Sequence, residues 1–147
     1  MTRSTIAKPR PKAKARSSSN QIRNYRSALN YLDTLINYER TPLDAAQAKK
    51  FTLSRMNKLL SALGNPHKAF RSAHVAGTKG KGSTCVMLAE MLRACDMKVG
   101  LYTSPHILDI RERIVVDGSM IPSTAFGKVI SEVAQAVKAA RIADPTF

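Results

Sequence analysis

Gly77-Thr78-Lys79-Gly80-Lys81-Gly82-Ser83 stands between the short, partly apolar run Ala73-His74-Val75-Ala76 and a long apolar helix pattern. In that pattern Val86, Leu88, Ala89, Met91, Leu92 and Cys95 recur at spacings of about three and four, as on the buried side of a helix. A strand, a glycine-rich turn and a helix start together make a phosphate site. The first backbone N–H groups of a helix lack intrahelical partners, and the helix dipole puts partial positive charge beside them. Glycines let the backbone approach an oligophosphate and take positive φ. Lys81 adds a full charge near the β- and γ-phosphates, and a following hydroxyl faces magnesium. The plain alternative is a glycine-rich turn in which the lysines fall by chance.

The general phosphate-loop pattern places a glycine five residues before the glycine of the Gly-Lys pair, with Ser or Thr directly after the lysine. Here Val75 takes the first place, and Gly82 separates Lys81 from Ser83. That form resembles the variant loop of the Mur ligase superfamily, whose folate branch carries Gly-Lys-Gly-Ser. Further elements follow: Lys98-Val99-Gly100-Leu101-Tyr102, then Thr103-Ser104-Pro105-His106 and Arg111-Glu112-Arg113-Ile114. Their order and spacing are similar to the N-terminal part of the folylpolyglutamate synthase/dihydrofolate synthase family, from about Tyr25 to about Ile130.

The resemblance implies an ATP-dependent ligase. Such enzymes phosphorylate a folate carboxylate, and the amino group of L-glutamate attacks the acyl phosphate, so charge neutralisation and positioning dominate the catalysis. It also implies that Gly80, Lys81, Gly82 and Ser83 hold the ATP phosphates and that Ser104 is a Mg2+ ligand. Reduced folate and L-glutamate are the implied substrates. Pro105 and His106 shape the same loop and are assigned no chemical step. Lys79 replaces the asparagine of many bacterial members and leans towards polyglutamation.

Each of these residues also has a plain structural reading. Ser104 before Pro105 starts a turn, because residues preceding proline avoid the helical region. His106 reads as a hydrogen-bonded loop histidine and His74 as a packed strand residue. Arg111 and Arg113, at alternating positions on a strand, would face one side, either towards an anionic substrate or at a solvated edge with Glu112 as partner.

The chain has 147 residues, enough for one core, and a formal net charge of +14. Residues 1–20 hold six cations, no acid, two prolines and Ser17-Ser18-Ser19, the composition of a disordered basic tail. Without it, 18 basic and 10 acidic residues leave +8. The tail could touch nucleic acid through phosphates or imitate a transit peptide, but its prolines and missing apolar face favour an inert tail. No apolar run spans a membrane. Cys85 and Cys95 lie ten residues apart on one helix, about 15 Å, beyond disulfide reach, so a reducing cytoplasm fits.

Residues 21–147 read as the N-terminal part of an ATP-binding domain: a mostly parallel α/β sheet flanked by helices. Helices are expected over residues 22–38, from Leu53 to Leu63 with Gly64 and Pro66 as the stop, and from a Ser123 or Thr124 cap to about Arg141. The last carries Phe126, Val129, Ile130, Val133 and Val137 as its stripe. Ile114-Val115-Val116 reads as a strand and Asp117-Gly118 as its turn. The family's acidic magnesium ligand, its later histidine ligand and its modified lysine have no counterpart before Phe147. The chain is therefore expected to be a piece of a larger enzyme, inactive alone, with apolar surface left open. Two other readings stay open: a small basic nucleic-acid-binding module, which leaves the glycine loop without purpose, and a phosphate-loop remnant without catalysis.

Overall fold

The structure is a computed structural model that describes residues 21–35, 53–143 and 145. The basic tail, residues 36–38 of the first expected helix and most of the C-terminal Asp144-Pro145-Thr146-Phe147 lie outside the described residues.

Helix α1 runs Tyr25–Leu32 and begins where a reciprocal cap forms. Asn24 Oδ1 accepts from the Ser27 N–H at 2.9 Å, and Ser27 Oγ accepts from the Asn24 N–H at 3.0 Å. Helix α2, Leu53–Ala62, ends at Gly64 and Asn65, both left-handed, which satisfies the last carbonyls before Pro66 opens a short 3-10 turn. Helix α3 is Lys81–Ala94 and helix α4 is Ser123–Ala139. The α4 cap differs from expectation. Pro122, not Ser123 or Thr124, holds the N-cap position, and no side chain caps the helix. Proline fits there because its fixed φ suits the turn and the missing N–H has no helical use.

The core joins α1 to α4. Ile22, Ala28 and Phe126 are buried, with Tyr25, Leu29, Ile110, Ile114 and Ile130 packed around them. Along α4, Phe126, Ile130, Val133 and Val137 turn inward, whereas Val129 is 43% exposed and leaves the expected stripe. Gly127 sits at the crossing point. A Cβ there would stand 3.0 Å from the Asn24 carbonyl carbon and 3.1 Å from the Tyr25 nitrogen, both backbone atoms. Glycine in mid-helix costs about 1 kcal/mol against alanine, and close approach of α1 is what it permits. Gly127→Val is therefore expected to lower stability by about 1–3 kcal/mol through overpacking. Urea denaturation with an unchanged midpoint would rule this crossing out.

Three short strands form one sheet in the order β1 (Gly100–Tyr102), β2 (Ile114–Val116), β3 (Ser119–Met120). Both pairings are antiparallel, with Leu101 opposite Val115 and Val116 opposite Ser119. The expected mostly parallel sheet is thus corrected for the described strands. Parallel neighbours need a crossover of a dozen or more residues. α3 could serve as one between residues 73–76 and β1, but residues 71–77 form no ladder among the described residues. The β2–β3 connection is the two-residue turn Asp117-Gly118, with φ of 47° and 77°, the double positive φ of a type I′ hairpin.

Helix α3 packs on β1 and buries Ala89, while Cys85, Leu88 and Leu92 are half-buried. Val86 and Met91, expected on the buried side, are 47% and 67% exposed, and Cys95 is exposed too. Apolar surface is open along this helix, contrary to the buried stripe its spacing predicts.

Candidate functional site

The exposed loop Gly77–Gly80 bends into the start of α3. Gly80 is the N-cap residue, with φ 75°. That left-handed backbone turns the chain so that the first helical residues, Lys81, Gly82 and Ser83, direct their N–H groups out of the helix end. The Thr84 N–H closes onto the Gly80 carbonyl at 3.0 Å, so intrahelical bonding begins there. No acidic residue occupies the first turn, which leaves the positive end of the dipole unopposed. The Lys81 ammonium folds back over the loop and donates to the Gly77 carbonyl at 2.7 Å and to that of Thr78 at 3.4 Å. An ammonium has three N–H donors, so one remains for an incoming anion. Gly80, Lys81, Gly82 and Ser83 are thus together at one helix end.

Two hydroxyls follow Lys81 closely, and they differ in role. Thr84 Oγ1 donates to the Gly80 carbonyl at 2.9 Å, a bond within the helix turn. The Ser83 side chain is exposed and has no such bond among the described residues. Among the described residues no group of three or more His, Cys, Asp or Glu could hold a metal. The available donors are single hydroxyls. A hydroxyl can take one position on Mg2+ beside substrate phosphates, but the carboxylates that usually hold this ion are not in the set.

Ser104 lies two residues beyond β1, exposed, and its peptide bond to Pro105 is cis. No hydrogen bond among the described residues joins it to the glycine loop. What is well defined is the segment that carries it. The Thr103 N–H donates to the Arg113 carbonyl at 3.1 Å. Arg113 Nε donates to His106 Nδ1 at 2.8 Å. His106 is therefore a hydrogen-bonded loop residue, as expected. His74, expected to be packed or bonded in a strand, is exposed instead, because residues 71–77 make no ladder that would bury it.

Residues 110–113 form a 3-10 turn, not the strand on which Arg111 and Arg113 would share a side. The reason is a cap. Asp109 accepts from the Arg111 N–H at 2.9 Å, and the Glu112 carboxylate accepts from the N–H groups of Ile107, Leu108 and Asp109 at 2.7–2.9 Å. Neither arginine is an open anion receptor. Arg111 makes a forked pair with Asp109, closest at 2.7 Å, and stacks 5.0 Å over the Tyr25 ring. Arg113 is 5% exposed. The Tyr25 hydroxyl donates to Asp109 at 2.7 Å, and its ring meets Phe126 edge-on at 5.6 Å. Sequence reading missed Tyr25 and Asp109. The Asp109-to-Glu112 spacing is the capping signature that marks them.

These bonds set the titration. The hydrogen-bonded Arg111 guanidinium holds the Asp109 carboxyl well below the usual range, and three backbone N–H groups lower Glu112. Burial, followed by the Asp109 carboxylate, raises Tyr25. Both carboxylates ionise more readily folded than unfolded. Their stabilisation is present above about pH 4 and is lost as pH falls through and below the ordinary carboxylate range. Stability should decline from about pH 4 to 2, and the double variant Asp109→Asn, Glu112→Gln should show a flatter decline. An equal slope in both proteins, measured by urea midpoint against pH, would exclude this origin.

No protein-family model matches the sequence. The chain is 44% identical over 108 residues to a probable bifunctional folylpolyglutamate synthase/dihydropteroate synthase of Haloferax volcanii, covering 74% of this chain and 12% of that protein. It is 39% identical over 110 residues to the folylpolyglutamate synthase of Lacticaseibacillus casei, covering 75% of this chain and 25% of that protein. Among solved structures, an FPGS–AMPPCP–folate complex superposes with a TM-score of 0.69 at 36% identity, covering 80% of this chain and 27% of the other. The chain thus spans about a quarter or less of the length of these relatives. No helix of the described residues is long and apolar enough to cross a membrane. With the glycine loop at a helix N-terminus and the superposition in agreement, the chain belongs to the folylpolyglutamate synthase/dihydrofolate synthase family, of whose members it spans a part.

Proposed function

We propose that this chain carries the ATP phosphate site of a ligase that joins L-glutamate to a reduced folate, in the cytoplasm. One observation carries the reading: a left-handed Gly80, the outward N–H groups of Lys81, Gly82 and Ser83, and the Lys81 ammonium converge at one acid-free helix end. The family resemblance supplies the reaction. A folate carboxylate oxygen attacks the γ-phosphorus and ADP leaves; the glutamate amine then attacks the acyl carbon and phosphate leaves. In this scheme the helix-end N–H groups bind phosphate oxygens, and Lys81 balances charge on the transferring group. Ser83 and Ser104 offer hydroxyl oxygens to Mg2+, which when bound neutralises the nucleotide's phosphates. The superposed AMPPCP complex supports the nucleotide, and its folate supports the substrate class.

Residues supplied by the rest of the family fold are needed to hold carboxylate, γ-phosphate and amine in attack geometry. The reading is therefore tested in a chimera in which the matching region of the Lacticaseibacillus casei enzyme is replaced by this chain's. ATP-dependent addition of labelled glutamate to reduced folate is expected, resolved by product chain length. A folded chimera that turns over no substrate and binds no nucleotide would contradict the proposal.

A further inference from the structure

We propose that Arg113 is a positioning residue that sets the Ser104 hydroxyl for the metal-bound nucleotide, an inference that rests on the reading of Ser104 as a magnesium ligand. Arg113 holds both sides of Ser104-Pro105. Its carbonyl accepts from the Thr103 N–H at 3.1 Å on one side, and its Nε donates to His106 Nδ1 at 2.8 Å on the other. The side chain is 5% exposed, so it meets the loop and not the solvent through which a nucleotide would arrive. Its own place is fixed from behind. The 3-10 turn Ile110–Arg113 is closed by the Asp109–Glu112 cap, Asp109 is tied to Tyr25 of α1, and Ile114 enters the β-sheet directly after Arg113. Ser104 is exposed and, among the described residues, has no hydrogen bond that would orient it. Its position is therefore inherited from Thr103 and His106, and theirs from Arg113. Groups that orient a metal ligand in this way commonly change metal affinity tenfold or more when altered.

The test uses the chimera in which this chain replaces the matching region of the Lacticaseibacillus casei enzyme, and AMPPCP, with affinity measured in magnesium and in EDTA. The ratio of the two dissociation constants gives the magnesium enhancement. Arg113→Lys, which keeps the charge but loses the Nε geometry, is expected to reduce that enhancement about tenfold with the EDTA affinity unchanged. His106→Leu, which removes the acceptor and leaves Arg113 in place, should do the same, and His106→Gln, which restores an acceptor oxygen, should recover it. Thermal melting identifies which variants are folded. An unchanged enhancement in folded Arg113→Lys and His106→Leu would overturn the role, as would equal losses with and without magnesium. If Ser104→Ala loses the enhancement while Arg113→Lys keeps it, Arg113 is rejected and the Ser104 reading survives. If the chimera without further substitution binds AMPPCP with no magnesium enhancement at all, the Ser104 reading falls and takes the positioning role with it.

Discussion

Lys81→Ala in the chimeric enzyme is expected to lower kcat/KM for glutamate addition by at least about a hundredfold, the scale typical for removing one charged or hydrogen-bonding group aimed at a developing negative charge. The geometry gives the reason. Lys79 precedes the turn at Gly80, whereas Lys81 is the first helical residue, and its ammonium already lies over the loop carbonyls. The fold should survive, because Lys81 is exposed and its bonds are local. Lys81→Arg separates charge from shape. A guanidinium keeps the charge but is a planar fork in place of a compact point donor, so most of the loss should remain. Near-normal turnover in Lys81→Ala, with melting unchanged, would remove the phosphate site from this loop.

Phe126→Ala is expected to cost about 3–5 kcal/mol, the largest single-residue stability effect among the described residues. Phe126 is 2% exposed and forms the buried cluster with Ile22 and Ala28. It also supports the Tyr25 ring, whose hydroxyl anchors Asp109 and through it the turn beneath the Ser104 segment. Small domains have total stabilities of about 5–15 kcal/mol, so the variant should lose most of its cooperative transition at physiological temperature. Phe126→Leu keeps much of the volume and should lose clearly less. A urea midpoint for Phe126→Ala close to wild type would show that the α1–α4 contact is not the core.

The elements legible in the sequence are those written in local chemistry. Asp117-Gly118 names its own turn, Gly64 and Pro66 mark the end of α2, and the loop at Gly80 announces the start of α3. Sequence reading missed the Asn24–Ser27 cap of α1: the helix is expected from residue 22, and the cap starts it at Tyr25. Strand direction is different, because it depends on which distant segment lies alongside, and nothing in Ala73-His74-Val75-Ala76 encodes that partner. Arg111-Glu112-Arg113-Ile114 alternates like a strand, yet the Asp109–Glu112 cap winds it into a 3-10 turn. The Tyr25–Asp109 bond spans 84 residues of sequence, beyond any periodicity. Of the candidate site, the helix-end part was readable because backbone geometry demands glycine there. Ser104 rests on the family resemblance alone, since a serine before proline is equally a turn starter.

The most direct measurement is an amide NMR titration of the chain with AMPPCP and magnesium, which registers even weak binding residue by residue. Saturable shifts concentrated at Gly77–Thr84, with a second set at Thr103–His106 that requires magnesium, are expected. Shifts absent from the glycine loop, or concentrated instead in the open cleft lined by Arg23 and Lys128, would contradict a phosphate site at Gly80–Ser83.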